Sequence, residues 1–132
     1  MKQGFTLARN ERLKSRKLME QLFRDGITFF IHPFKVYYQV TTLPAEKRLQ
    51  AAFGVSSRTF KKAVDRNRIK RLMREAYRLE KKELQQQLQA DDKGLAVFFL
   101  YTGKELPDLG MVKDKMKLIL EKLGKAMLTT NQ

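Results

Sequence analysis

Between Arg58 and Lys82 the chain carries eleven cations: Arg58, Lys61, Lys62, Arg66, Arg68, Lys70, Arg71, Arg74, Arg78, Lys81 and Lys82. Three acids interrupt them, Asp65, Glu75 and Glu80. The chemistry open to such a run is anion binding. Arginine outnumbers lysine from Arg66 to Arg78, and the planar guanidinium grips phosphate with two parallel hydrogen bonds and stacks on bases. At about 100° per residue from Arg66, the cations Lys70, Arg74, Lys81, Arg78, Arg71 and Lys82 fall between roughly 40° and 160°. Ile69, Leu72, Met73, Ala76 and Leu79 fall between roughly 220° and 340°, with Tyr77 and Leu84 at the border. One face of this helix must therefore bury, and the other is almost purely cationic.

The competing reading of a charged face is simple solvation, with opposite signs paired four residues apart. Glu20 with Arg24 and Glu121 with Lys125 fit that description. In the basic run only Glu75 and Glu80 dilute the stripe. Like charges four apart, such as Lys70 and Arg74, cost a free helix a few tenths of a kcal/mol each, and a polyanion relieves that repulsion. A membrane surface is the weaker partner, because a lipid-bound helix also offers its apolar face to lipid.

Residues for intrinsic catalysis are sparse. His32 is the single histidine, so a two-histidine acid–base mechanism is excluded, and its place before Pro33 suits a structural or surface role. Metal-dependent hydrolysis needs clustered carboxylates. The adjacent pair Asp91-Asp92 precedes Lys93-Gly94 and reads as a turn. Absence of cysteine removes disulfides, thiolate chemistry and zinc ribbons. The expectation is an RNA-binding chain with no catalytic residue, metal site or cofactor of its own.

The elements that must position the basic run fit one domain. The 132 residues, 42% of them hydrophobic, suffice for a single core. Lys and Arg number 28 against 14 Asp and Glu, a surplus of +14 that opposes compaction and implies a polyanionic partner. No apolar stretch approaches the roughly 20 residues of a membrane span, and no signal peptide is visible, so a cytoplasmic location with no membrane partner is expected. Residues 1–14 read as a basic arm and 126–132 as a flexible tail.

Ser15 is placed to cap a helix reaching Arg24, with Leu18, Met19, Leu22 and Phe23 on one stripe and Asp25-Gly26 as its stop. Ile27 to Ile31 reads as a short strand ended by Pro33. Phe34, Val36, Tyr38 and Val40 alternate with Lys35, Tyr37 and Gln39, and Leu49, Ala51, Phe53 and Val55 repeat the pattern after a turn at Pro44-Ala45-Glu46. Ser57 to Asp65 reads as a connection, Arg66 to about Gln89 as one long helix, and Leu95 to Tyr101 as a central strand covered on both faces. Pro107-Asp108 opens a last helix with Val112, Met116, Ile119, Leu120 and Leu123 on one stripe. The order α-β-β-β-α-β-α predicts an α+β fold, with helices packed on a four-stranded sheet.

The run Arg66-Asn67-Arg68-Ile69-Lys70-Arg71-Leu72-Met73-Arg74-Glu75 resembles the signature helix of the bacterial ribonuclease P protein family. Leu13 through Phe23-Arg24-Asp25-Gly26 is similar to that family's first helix, Phe34-Lys35-Val36-Tyr37 to its second strand, and Gly54-Val55-Ser56 with Ala63-Val64 to the approach to the signature. The resemblance covers roughly residues 5 to 125. It implies a left-handed β-α-β crossover and a small protein subunit paired one to one with a large catalytic RNA. It also implies removal of the 5′ leader from precursor tRNA, with magnesium held at the RNA active site.

By the same resemblance, Lys61, Lys62, Arg66, Arg68, Lys70, Arg71, Arg74 and Arg78 face the catalytic RNA. Met19, Phe23, Tyr37, Arg58 and Asn67 line a cleft for the single-stranded leader. Two positions depart from the family pattern: Met19 replaces an aromatic, and Phe60 stands where a small residue is usual. The family's lysine in this loop falls on either Arg58 or Lys61. On the residues alone, Phe23 and Tyr37 suit a core or a stacking cleft. The alternative function is a ribosomal or ribosome-assembly RNA binder, which needs no leader cleft.

Overall fold

The computed structural model describes residues 12–13, 15–41, 49–91 and 93–130. The elements follow as α1 (Arg16–Asp25), β1 (Ile27–Ile31), β2 (Phe34–Thr41), β3 (Leu49–Val55), α2 (Ala63–Glu80), α3 (Lys82–Asp91), β4 (Gly94–Tyr101) and α4 (Leu109–Thr130). The strands form one sheet in the order β1-β2-β4-β3. β1 and β2 are antiparallel, as are β2 and β4, whereas β3 and β4 run parallel and are joined through α2 and α3.

Strand alternation sorts the side chains between two faces. Phe34, Val36 and Tyr38 of β2, Leu49 and Ala51 of β3, and Leu95, Val97, Phe99 and Tyr101 of β4 enter the main core. α2 adds Ile69, Met73, Ala76 and Tyr77, and α4 adds Val112, Met116, Ile119, Leu120, Leu123 and Met127. Phe53 and Phe99 stack with centroids 5.3 Å apart, and Tyr77 meets each of them at 5.6 Å. Full burial of a side chain as large as Phe99 stabilises by about 1.5–3 kcal/mol.

The opposite face carries a smaller cluster of Leu13, Leu22 and Ala96, joined by half-buried Leu18, Met19, Tyr37, Ala52 and Phe98. α1 covers it. The Ser15 side chain accepts a hydrogen bond from the Leu18 N–H at 3.2 Å, the expected N-cap. Gly26 closes the helix for lack of space: a Cβ there would overlap the Leu22 carbonyl and crowd Leu22 Cδ1.

The long basic helix departs from its expected limits. It begins at Ala63, inside the expected connection, and stops at Glu80. Lys81 keeps helical angles, φ −80° and ψ −11°, before α3 resumes at Lys82. Over an unbroken run the helical step carries Leu88 about 100° around from Ile69, too far for one straight helix to bury both well. The interruption lets Leu84 and Leu88 reach the core beside α4. There Gln87 Nε2 donates to the Gly124 carbonyl at 2.8 Å. The buried arc of α2 also rotates: Tyr77, at the predicted border, is fully buried, and Leu79 is 45% exposed.

Both ends of the chain depart as well. Arg12 bridges to Ala51 on β3, the Leu13 N–H donates to the Ala51 carbonyl at 3.0 Å, and Leu13 is buried. Arg12 and Leu13 of the expected arm are thus part of the fold, whereas residues 1–11 and Lys14 lie outside the described residues. α4 continues to Thr130 and buries Met127 where a tail was expected from residue 126. The turn at Pro44-Ala45-Glu46 and Asp92 also lie outside the described residues, and Asp91 closes α3.

Candidate nucleic-acid interface

α2 presents its cations because its other side is committed to the core. Arg68 and Arg71 are exposed, as are Asn67 and the two lysines before the helix, Lys61 and Lys62. Lys70, Arg74 and Arg78 are partly covered, as long cationic chains on apolar surface usually are. The signature cations are not equivalent. Arg66 turns back on the β3–α2 loop, where one guanidinium nitrogen donates to the Phe60 carbonyl at 2.8 Å and the Lys61 carbonyl at 2.9 Å. Arg78 reaches both carboxylate oxygens of Glu75, at 3.1 and 3.2 Å.

Arg74 has a different setting. Its guanidinium carbon lies 5.9 Å from the centroid of Phe53, close enough for a cation–π contact. Burial lowers its pKa from the ordinary arginine value, and the nearby charges of Arg12 and Arg71 lower it further. Three guanidinium groups therefore share one region. Arginine remains protonated throughout, so this region stores like-charge repulsion that an incoming phosphate relieves. Arg12 belongs to this set by tertiary structure alone, since it is tied to the edge of β3.

The β3–α2 loop lies beyond the C-terminal end of β3. Phe60 plugs it, buried against Tyr101 with centroids 6.1 Å apart. The bulky side chain at this departure from the family pattern thus anchors the loop in the core. The exposed Arg58 is steadied through its backbone N–H, which donates to Ser56 Oγ at 3.2 Å.

On the far face of the sheet, α1 leaves an aromatic group half open. Phe23 meets Tyr37 and Phe98, each edge to face at 5.1 Å, and Tyr37 meets Phe98 at 6.0 Å. Phe23 is 48% exposed, so it is not a core residue. Lys35 Nζ sits 5.2 Å from the Tyr37 centroid. Gly54 makes this arrangement possible, because a Cβ there would collide with the Phe98 ring. Met19 belongs to the same cluster. The structure thus gathers Met19, Phe23 and Tyr37 from the expected cleft, while Arg58 and Asn67 stand on the loop and α2. Phe98 was missed from sequence: in the wholly apolar strand β4, parity alone does not say which residues face the partly uncovered side.

Comparison with known proteins matches this fold and this helix. The family model described as Ribonuclease P matches residues 7–124. The chain belongs to the ribonuclease P protein family. A Ribonuclease P protein component from Porphyromonas gingivalis is 34% identical over 120 residues, covering 91% of this chain and 88% of that one. One from Chlorobium phaeobacteroides is 29% identical over 134 residues, covering 94% and 92%. A solved Staphylococcus aureus RNase P protein has the same fold, with a TM-score of 0.63 at 17% identity over 86% of this chain and 94% of its own. Membership places the chain in ribonuclease P, where proteins of this family work with the enzyme's RNA in tRNA 5′ maturation. Among the described residues, no helix is long and apolar enough to cross a membrane.

Proposed function

We propose that this chain is the non-catalytic subunit of ribonuclease P, binding the catalytic RNA through α2 and its preceding loop and the 5′ leader of precursor tRNA through the aromatic cleft. The observation that carries this reading is the division of the two surfaces by the sheet. An arginine-rich helix packs on one face, and half-open Phe23, Tyr37 and Phe98 stand on the other. Phosphates meet Arg71, Arg74 and Arg68 on the first, and unstacked bases meet aromatic rings beside Lys35 on the second. A ribosomal binder needs only the first surface.

Hydrolysis in this reading belongs to magnesium ions held by the RNA. Among the described residues, no three His, Asp or Glu side chains converge to hold a metal ion. The protein contributes cationic charge and a grip on the leader, acting in the cytoplasm as one copy per RNA. Leader cleavage by the cognate RNA at low magnesium, with and without this protein, tests the division of labour. The expected result is strong stimulation by the protein and no cleavage by the protein alone. Magnesium-dependent cleavage by the RNA-free protein would overturn it.

A further inference from the structure

The aromatic surface does not end at Tyr37. Phe30 lies on β1, directly opposite Lys35 of β2, and therefore on the same face as Tyr37. It is 57% exposed, although it sits inside a paired strand. α1 packs chiefly on β2 and β4, so among the described residues no helix covers this margin of the sheet. Lys35 stands between the two rings: it is opposite Phe30, and its ammonium lies 5.2 Å from the Tyr37 centroid. His32 adds a second ring 6.0 Å from Phe30. From the centre of the sheet outward, Phe98 stands on β4, Tyr37 and Lys35 on β2, and Phe30 on the edge strand β1.

We infer that Phe30 and Lys35 form an additional single-strand subsite, which holds the nucleotide next to the one stacked at Tyr37. The inference rests on the leader-cleft reading and extends it to the β1 margin. Diagonal neighbours on adjacent strands stand roughly 7–8 Å apart, a span that one nucleotide covers in an extended strand. An exposed ring offers a base a stacking face, and a lysine between two rings meets the phosphate that links their bases. This charge complementarity, and the continuity with Tyr37, favour a nucleic-acid strand over a second copy of the chain at the same apolar margin.

The test uses holoenzyme reconstituted with the catalytic RNA, together with mature tRNA and precursor tRNAs whose leaders increase one nucleotide at a time. Wild-type affinity should rise in steps with leader length. Phe30→Ala should abolish the outermost step, a loss of about fivefold or more, while leaving shorter leaders and mature tRNA unchanged. Phe30→Tyr should keep it. Tyr37→Ala, measured in parallel, separates the two readings. If Tyr37→Ala removes a step and Phe30→Ala does not, the extension is wrong and the cleft stands. If neither removes one, both readings fall. A Phe30→Ala protein that keeps every step but loses self-association in sedimentation would assign this margin to a second copy and also overturn the inference.

Discussion

The cationic helix and the aromatic cleft flank the same sheet but are held there by different means. α2 is anchored by a full row of buried side chains, Ile69, Met73, Ala76 and Tyr77, and its cations follow from helical geometry once that row is buried. The cleft rests on a smaller buried cluster of Leu13, Leu22 and Ala96. Phe23 comes from α1, Tyr37 from β2 and Phe98 from β4, and Gly54 of β3 leaves the space. The difference teaches that the charged surface follows from one helix, so an exposed cation such as Arg71 can be removed from it with a local effect. The cleft depends on three elements at once, because its rings meet across α1, β2 and β4.

The largest effect should come from the charged side. Changing Arg71, Arg74 and Arg78 together to Ala should reduce the salt dependence of binding to the catalytic RNA by up to about three in slope, one per lost phosphate contact. Arg78, already engaged by Glu75, should contribute least when the three are changed singly. Thermal stability should fall only modestly, by about 1 kcal/mol, since Arg71 is exposed whereas Arg74 loses its contact with the Phe53 ring and Arg78 its pair with Glu75. An unchanged salt slope would mean that α2 faces solvent in the ribonucleoprotein.

Tyr37→Ala comes next and tests the other side. Precursor tRNA should bind the holoenzyme about 1–3 kcal/mol more weakly, roughly fivefold to over a hundredfold, while mature tRNA is nearly unaffected. Tyr37→Phe should retain most of the affinity. Equal losses for both substrates, in step with a lower melting temperature, would make Tyr37 a packing residue and erase the contrast between the two surfaces.

The smallest effect distinguishes cations within the helix. Arg66→Ala removes two hydrogen bonds to loop carbonyls and should lower stability by about 1 kcal/mol, visible as a lower denaturation midpoint. Arg71→Ala should not. If Arg66→Ala instead changes only the salt slope of RNA binding, the loop does not depend on that arginine.

The basic surface was legible in the sequence because helical periodicity converts spacing into direction. Ile69, Met73 and Ala76 had to bury, and Lys70, Arg71 and Arg74 had to point away from them. The same rule overran at Lys81, where the interruption serves packing of Leu84 and Leu88 beside α4. Periodicity within one segment carries no information about a distant partner. Alternation assigned Tyr37 to the polar side of its strand beside Lys35, and only the family resemblance put it in a cleft.

The sequence by itself determined the charge, the element order and the cationic stripe, because each depends on composition or on residues a few positions apart. Tertiary structure alone decided that Arg12 joins Arg71 and Arg74, that Arg66 is engaged with the loop, and that Phe98 completes the aromatic group. Each of these is set by strand register and by how far one helix covers the sheet. Those quantities come from packing between segments far apart in the chain, where local spacing is silent.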